Sequence, residues 1–267
     1  MSIANLPAWW PSKKPWIIGD CLDGMKKIPD KSVDLILTDP PYGHNNNNNG
    51  DLIQRWEKAL GKGKAGAPRA IANDGVEANQ LFQECIKEYA RILKSGCCCC
   101  CCCGGGGGPD PQFARWSLWM DEPLEFKQMV VWDKGPMGMG WHYRRSYETV
   151  LVAQKRGAAC KWYDTTDKVE NIIRHIRKII PNAEEHPTIK PVKLMIHFIE
   201  LHTKPGDVVL DPFLGSGTTL MAARKTGRIG LGFEINPEYE KIIEKRSMDK
   251  IADITTFEVK SENNTKG

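Results

Sequence analysis

Seven consecutive cysteines, Cys97–Cys103, constrain the fold of this chain more than any other feature. Neighbouring side chains of an extended strand point to opposite faces. A run with no polar residue therefore needs apolar cover on both faces, as a strand has inside a sheet flanked by helices. Free cysteine behaves as a small buried hydrophobe. The run lies between an expected helix end, Leu93-Lys94-Ser95-Gly96, and the glycines Gly104–Gly108. It reads as a fully buried strand. The placement speaks against a disulfide framework, because neighbours in an extended run cannot pair cleanly among themselves. The other cysteines are Cys21, Cys85 and Cys160, and no two C-x-x-C pairs stand apart at zinc spacing. No metal is expected, and the thiols suit a reducing compartment. A redox or metal role for the run is the lesser alternative.

The rest of the chain alternates strand and helix signals. Strands are expected at Ile17–Asp20, Val33–Thr38, Phe126–Val131, Thr149–Ala153, Val208–Leu210 and Arg228–Phe233. Asn79–Leu93 has helical periodicity, with Leu81, Phe82, Cys85, Tyr89, Ile92 and Leu93 on one face. Further helices are expected over Gln112–Met120, Pro191–His202, Leu220–Lys225 and Pro237–Arg246. Lys168–Ile180 reads as a basic amphipathic helix with Ile172, Ile173, Ile176, Ile179 and Ile180 as its apolar stripe. This alternation predicts an α/β fold with a mostly parallel sheet and helices on both faces. Residues 44–76, with the tract Asn45–Asn49 and Lys62, Lys64 and Arg69, read as a long mobile loop. Residues 261–267 read as a frayed polar tail.

The expected layout is a discontinuous main domain, 1–155 and 186–260, interrupted by a small segment, 156–185. No run approaches the roughly 18–20 apolar residues that a spanning helix needs. Met1–Lys14 has no basic-then-apolar layout, so no signal peptide is expected and the chain is placed in the cytoplasm. The net charge is +4. Residues 127–180 carry eleven Lys/Arg against five Asp/Glu, so the basic excess sits in one segment, as on a polyanion-binding surface. A solvated basic face without a partner fits that charge equally well.

Two constellations carry chemistry. Asp211-Pro212-Phe213-Leu214-Gly215-Ser216-Gly217-Thr218-Thr219 follows a strand and opens a helix. Glycines there admit a ligand close to the backbone, and the helix start offers free N–H groups. Glu234 ends the next strand, where an acid can accept bonds from both hydroxyls of a ribose. Together they read as a nucleoside half-site, with a tight turn bearing an exposed acid as the plainer alternative. No Gly-Lys-Ser/Thr follows, so a phosphate loop is not expected. A dinucleotide site stays open on this motif alone. The second is Thr38-Asp39-Pro40-Pro41-Tyr42-Gly43, at another strand's C-terminal end. The Asp39 carboxylate and the Pro40 carbonyl are two acceptors, Pro41 offers no donor to a local turn, and Tyr42 supplies a flat ring. These suit a planar group bearing an exocyclic NH₂. A rigid Pro-Pro turn with a capping Asp is the plainer alternative.

Asp39-Pro40-Pro41-Tyr42 together with Asp211-Pro212-Phe213-x-Gly215-Ser216-Gly217-Thr218-Thr219 resembles the DNA amino-methyltransferase family, which methylates adenine N6 or cytosine N4. The catalytic motif precedes the glycine motif, an order similar to the family's permuted beta class. Gly19-Asp20-Cys21 resembles the motif whose acid contacts the cofactor adenine. His186-Pro187-Thr188-Ile189-Lys190-Pro191 resembles the segment beside the cofactor's methionine end. Val131–Gly135 and Tyr147-Glu148 resemble blocks around the target-base pocket.

The resemblance covers roughly 15–155 and 186–246. It implies a Rossmann-like fold, S-adenosyl-L-methionine as cofactor and double-stranded DNA as partner. It implies Asp39, Pro40, Pro41 and Tyr42 as catalytic residues. It implies cofactor contacts from Asp20, Cys21, Lys190, Asp211, Phe213, Gly215, Ser216, Gly217, Thr218 and Glu234. Phosphate contacts are expected from Arg144, Arg145, Arg174, Arg177 and Lys178. Trp141, His142 and Tyr143 either stack on DNA or pack in the core. Residues 156–185 match no family block and stand where such proteins carry target recognition. A homodimer and a cognate restriction enzyme are compatible partners.

The carboxylate at position 39 favours adenine, because cytosine-N4 members of the permuted class more often carry Ser there. Cytosine-N4 methylation, RNA methylation and a catalytically silent DNA-binding relative are the alternatives. A nicotinamide-dependent dehydrogenase leaves Asp39–Tyr42 unexplained.

Overall fold

The computed structural model describes residues 6–43, 72–75, 77–103, 112–135, 146–177 and 189–248. Residues 44–71 of the expected loop, Gly104–Gly108, the stretch after Gly135, Trp141–Arg145, Lys178, His186–Thr188 and the tail lie outside them.

Among the described residues, eight strands form one sheet in the order β1-β8-β7-β2-β3-β5-β4-β6. They are β1 (Trp16–Ile18), β2 (Val33–Thr38), β3 (Leu93–Cys103), β4 (Glu125–Asp133), β5 (Tyr147–Gln154), β6 (Ile172–Ile173), β7 (Val208–Asp211) and β8 (Ile229–Glu234). The ladder β1-β8-β7-β2-β3 is parallel throughout. β5 is antiparallel to β3 and to β4, and β6 runs parallel to β4. The helices are α1 (Cys21–Met25), α2 (Glu77–Ile92), α3 (Gln112–Asp121), α4 (Val192–His202), α5 (Thr218–Lys225) and α6 (Glu240–Met248), the last preceded by a 3₁₀ turn, Pro237–Tyr239.

The cysteine run sits in the middle of this sheet. Cys97–Cys102 are each at most 1% exposed. Cys97, Cys99 and Cys101 pack with Phe82, Ile86 and Tyr89 of α2 and Trp116 and Met120 of α3. Cys98, Cys100 and Cys102 pack on the other face with Leu194, Phe198 and Ile199 of α4 and Ala222 and Ala223 of α5. Helices therefore cover both faces, as the missing alternation requires, and the described cysteines are free thiols.

The expected helix at Lys168–Ile180 is not formed over its described part. Ile172 and Ile173 instead pair with Val131 and Trp132 as β6. The Val131 amide donates to the Asn171 carbonyl at 2.8 Å, and the Trp132 indole donates to the Ile176 carbonyl at 2.6 Å. The isoleucines have helical spacing, but their β-branched side chains suit a pleated surface, and β4 would otherwise present an unpaired edge. Pairing that edge outweighs the helical pattern. The preceding residues are also tied down. The Lys161 amide donates to the Gly96 carbonyl, and the Tyr163 amide to the Leu201 carbonyl.

The buried strand predicts an order of tolerance at Cys100. Valine, apolar and β-branched, should keep unfolding free energy in urea within about 1.5 kcal/mol of the parent. Serine, placing a hydroxyl in the same apolar site, should cost about 1–3 kcal/mol. The reverse order would mean that the thiol contributes polarity rather than packing.

Candidate active site at the strand ends

The C-terminal ends of β1, β8, β7 and β2 bring four acids to one edge of the sheet: Asp20, Glu234, Asp211 and Asp39. In open α/β sheets ligands bind at this edge. Asp20 caps α1, its carboxylate accepting from the amides of Leu22 at 2.8 Å and Asp23 at 3.1 Å. The Cys21 side chain turns inward to the core.

Glu234 is 7% exposed. One carboxylate oxygen accepts from the Gly215 amide at 2.7 Å and the other from the Asn236 amide at 2.8 Å. Burial pushes its carboxyl up to about 7 despite those two amides. Each oxygen keeps a second lone pair, which suits the two hydroxyls of a ribose. Gly215 (φ 53°) and Gly217 (φ 80°) turn the chain back over this acid in a conformation that glycine adopts without strain. Gly217 caps α5. At Gly19, after β1, a Cβ would meet open space, so the backbone there is approachable.

Asp211 is a brace. One oxygen accepts from the Thr38 hydroxyl at 2.7 Å and the Phe213 amide at 3.1 Å, the other from the Thr219 hydroxyl at 2.6 Å. Burial lifts its carboxyl to about 6, with these donors holding it back. The Ser216 and Thr218 hydroxyls face Arg246 of α6, at 2.5 and 3.3 Å. Phe213 is partly buried against the core.

At the end of β2, Asp39 stands in a ladder of alternating charges. The Lys190 ammonium is 2.5 Å from Asp39 and 3.3 Å from Glu148, and Lys134 is 3.1 Å from the other Glu148 oxygen. The Tyr42 hydroxyl donates to Asp39, and Lys190 also reaches that hydroxyl at 3.2 Å. Burial raises the Asp39 carboxyl, and Lys190 works against that rise. Burial also opposes charge on Glu148, but Lys190 and Lys134 hold it at about 2. Burial and the Asp39 carboxylate push the Tyr42 phenol well up, so it stays neutral and donates. Pro40 is buried. The turn after it is fixed by Asp74, which accepts from the amides of Tyr42 and Gly43, each at 2.8 Å. The Tyr42 ring lies 6.4 Å from Trp116 and has Lys190 over it at 5.6 Å.

The structure thus gathers Asp39, Pro40, Pro41, Tyr42, Asp20, Lys190, Asp211, the glycine loop and Glu234 along one edge. It places Lys190 on Asp39. Sequence reasoning gave Glu148 no charge partner and did not single out Asp74 or Arg246. Their partners are distant in the chain, and no local spacing signals them. Arg174 and Arg177 are exposed beyond β6, and Arg174 pairs with Glu170 at 2.7 Å. Arg144, Arg145 and Lys178 lie outside the described residues.

A family model described as DNA methylase matches residues 33–245. The chain is 30% identical over 260 residues to DNA adenine methyltransferase YhdJ of Escherichia coli K12, covering 86% of this chain and 81% of that one. It is similar in structure to M1.HpyAVI solved with S-adenosylmethionine (TM-score 0.58, 26% identity, 86% of this chain and 98% of that one). The PvuII cytosine-N4-specific DNA methyltransferase shares the fold (TM-score 0.66, 21% identity, 89% of this chain and 87% of that one). Among the described residues no helix is long and apolar enough to cross a membrane.

The raised Glu234 carboxyl has a signed consequence. The unfolded chain ionises this acid near 4.5, before the folded one does near 7. Its contribution to stability is therefore full below 4.5, falls as pH rises to about 7 and is flat above. Glu234→Gln removes that fall. The melting temperature of the variant minus that of the parent should increase across this window. A difference that shrinks with pH would contradict the buried, raised acid.

Proposed function

The chain belongs to the DNA methylase family, S-adenosylmethionine-dependent enzymes acting on adenine N6 or cytosine N4 of DNA, and we propose that its target is the N6 amine of adenine. The observation that carries this reading is the Asp39 side chain at the end of β2, paired with the Lys190 ammonium at 2.5 Å. The naming of YhdJ as an adenine methyltransferase supports it.

The cofactor supplies an electrophilic methyl group. Glu234 would hold its ribose hydroxyls, with Asp20 and the Gly215–Gly217 backbone beside the nucleoside. Asp211 serves this half-site by fixing the start of α5 against β2.

The amine of a nucleobase is a weak nucleophile, because its lone pair is delocalised into the ring. Asp39 and the Pro40 carbonyl would each accept one N–H, favouring a pyramidal nitrogen with its lone pair directed away from both. The Asp39 oxygens already accept from Tyr42 and Lys190, and each retains a lone pair for the incoming amine. Lys190 favours the charged form of Asp39 against burial, and Glu148 keeps Lys190 in place. The acceleration comes from positioning and fixed charge. Asp39 need not be a strong base, since the proton leaves after transfer. No covalent enzyme intermediate is needed.

A base inside a duplex is out of reach and must be flipped out, at a few kcal/mol. Stacking on Tyr42 recovers about 1–3 kcal/mol. Arg144, Arg145, Arg174, Arg177 and Lys178 would hold phosphates around the opened site, and a homodimer would pair two such surfaces.

Incubating the protein with S-adenosylmethionine and unmethylated duplex DNA, then digesting to nucleosides for mass spectrometry, tests the assignment. N6-methyladenine is expected, and it should vanish with Asp39→Ala. N4-methylcytosine would overturn the base assignment and keep the chemistry. Absence of both products would overturn the proposed activity.

A further inference from the structure

Away from the catalytic edge, three ligating side chains converge from distant parts of the chain. Cys98 and Cys160 are 62 residues apart, yet their sulfurs are 3.5 Å from one another. The His202 side chain, at the end of α4, completes the group, with all three donor atoms within 4.8 Å of one another. Bond lengths of about 2.3 Å to sulfur and 2.0–2.1 Å to nitrogen around a tetrahedral ion place donor atoms roughly 3.5–3.8 Å apart. Small side-chain movements therefore close the group around one ion.

Two independent observations point to a ligand. His202 is 4% exposed, and its Nδ1 is buried without a hydrogen-bond partner. A buried nitrogen left so is costly unless something occupies its lone pair or takes its proton. A cavity of about 560 Å³ also opens beside the group, lined by Cys160, Trp162, His197 and His202 among others. It gives a path in and room for a water as fourth ligand.

The frame around the group is fixed by other contacts. Gly96 (φ 76°) brings the loop over β3, where a Cβ would run into the Ala159 carbonyl. The Gly96 amide donates to the Lys155 carbonyl and its carbonyl accepts from the Lys161 amide, so the loop is held to the start of the cysteine strand. The Trp162 ring packs edge-on against His202 at 5.3 Å.

We propose that Cys98, Cys160 and His202 form a binding site for a thiophilic divalent cation of the Zn²⁺ class, joining β3, the loop after β5 and the end of α4. Cys98 is level with Leu35 of β2, whereas the catalytic strand end, Thr38, is level with Cys101. The ion lies on the flank of the sheet and takes no part in methyl transfer. Binding requires both thiols to lose their protons and the imidazole to be neutral.

The full chain, kept reduced with a phosphine, would be titrated with Co²⁺ as a spectroscopic probe and with Zn²⁺ in competition. Sulfur-to-cobalt charge-transfer absorption saturating at one ion per chain, and displaced by Zn²⁺, is expected. Cys160→Ser and His202→Gln should each weaken binding by about 100-fold or more, above what loss of an outer contact costs. Cys160 is the exposed thiol among the described cysteines, so its variant should fold. Zn²⁺ should also block alkylation of Cys160 in the parent, and a chelator should restore it, read by peptide mass mapping. Unchanged cobalt spectra in both variants, binding without a sulfur band, or alkylation indifferent to Zn²⁺ would each overturn the proposal.

Discussion

The Asp211 carboxylate joins the two halves on which the catalytic edge depends. It takes the Thr38 hydroxyl from the end of β2 and the Thr219 hydroxyl from the start of α5. Those elements carry the Asp39 turn and the glycine loop. Burying this acid lifts its carboxyl to about 6, so the brace costs electrostatic free energy that its donors offset in part. In return, the Asp39 turn, proposed to receive the amine, and the glycine loop, proposed to hold the nucleoside, are held side by side. Lys190 extends the same logic across the site, coming from the segment before α4 to pair with Asp39 and being kept in place by Glu148.

Much of this was legible in the sequence because it is local. A strand ending on an acid, followed by prolines or glycines, is a short-range signal, and all four acids stand where their turns place them. The cysteine run was legible for a different reason: without alternation it had to be covered twice, and α2 and α3 on one face and α4 and α5 on the other supply that cover. What was not legible is tertiary. Lys190 lies 151 residues from Asp39, and a family block suggested the cofactor as its partner. Asp74 fixes the catalytic turn from 31 residues away, with no pattern to announce it. The isoleucines after Lys168 showed helical spacing, yet an open sheet edge beside them decided their conformation.

The fold leaves the choice of base to few groups. The chain shares its architecture with a cytosine-N4 enzyme at 21% identity, so the sheet itself does not select adenine. On the proposed reading the distinction comes from the groups that would meet the base, Asp39 to Tyr42. The charge ladder behind Asp39 gives that carboxylate a fixed geometry and opposes the effect of burial on it, which a neutral hydroxyl at this position would not require.

Cofactor binding is proposed at the Glu234 end of the sheet and methyl transfer at the Asp39 end. Calorimetric S-adenosylmethionine binding, measured beside single-turnover methylation for Asp39→Asn and Glu234→Gln, tests that division directly. Asp39→Asn should bind the cofactor within about threefold of the parent, under 1 kcal/mol, and transfer methyl at least about 100-fold more slowly. Glu234→Gln should bind about tenfold or more weakly and regain most of its rate at saturating cofactor. The opposite pattern, with Asp39→Asn losing the cofactor or Glu234→Gln slow even when saturated, would contradict the account.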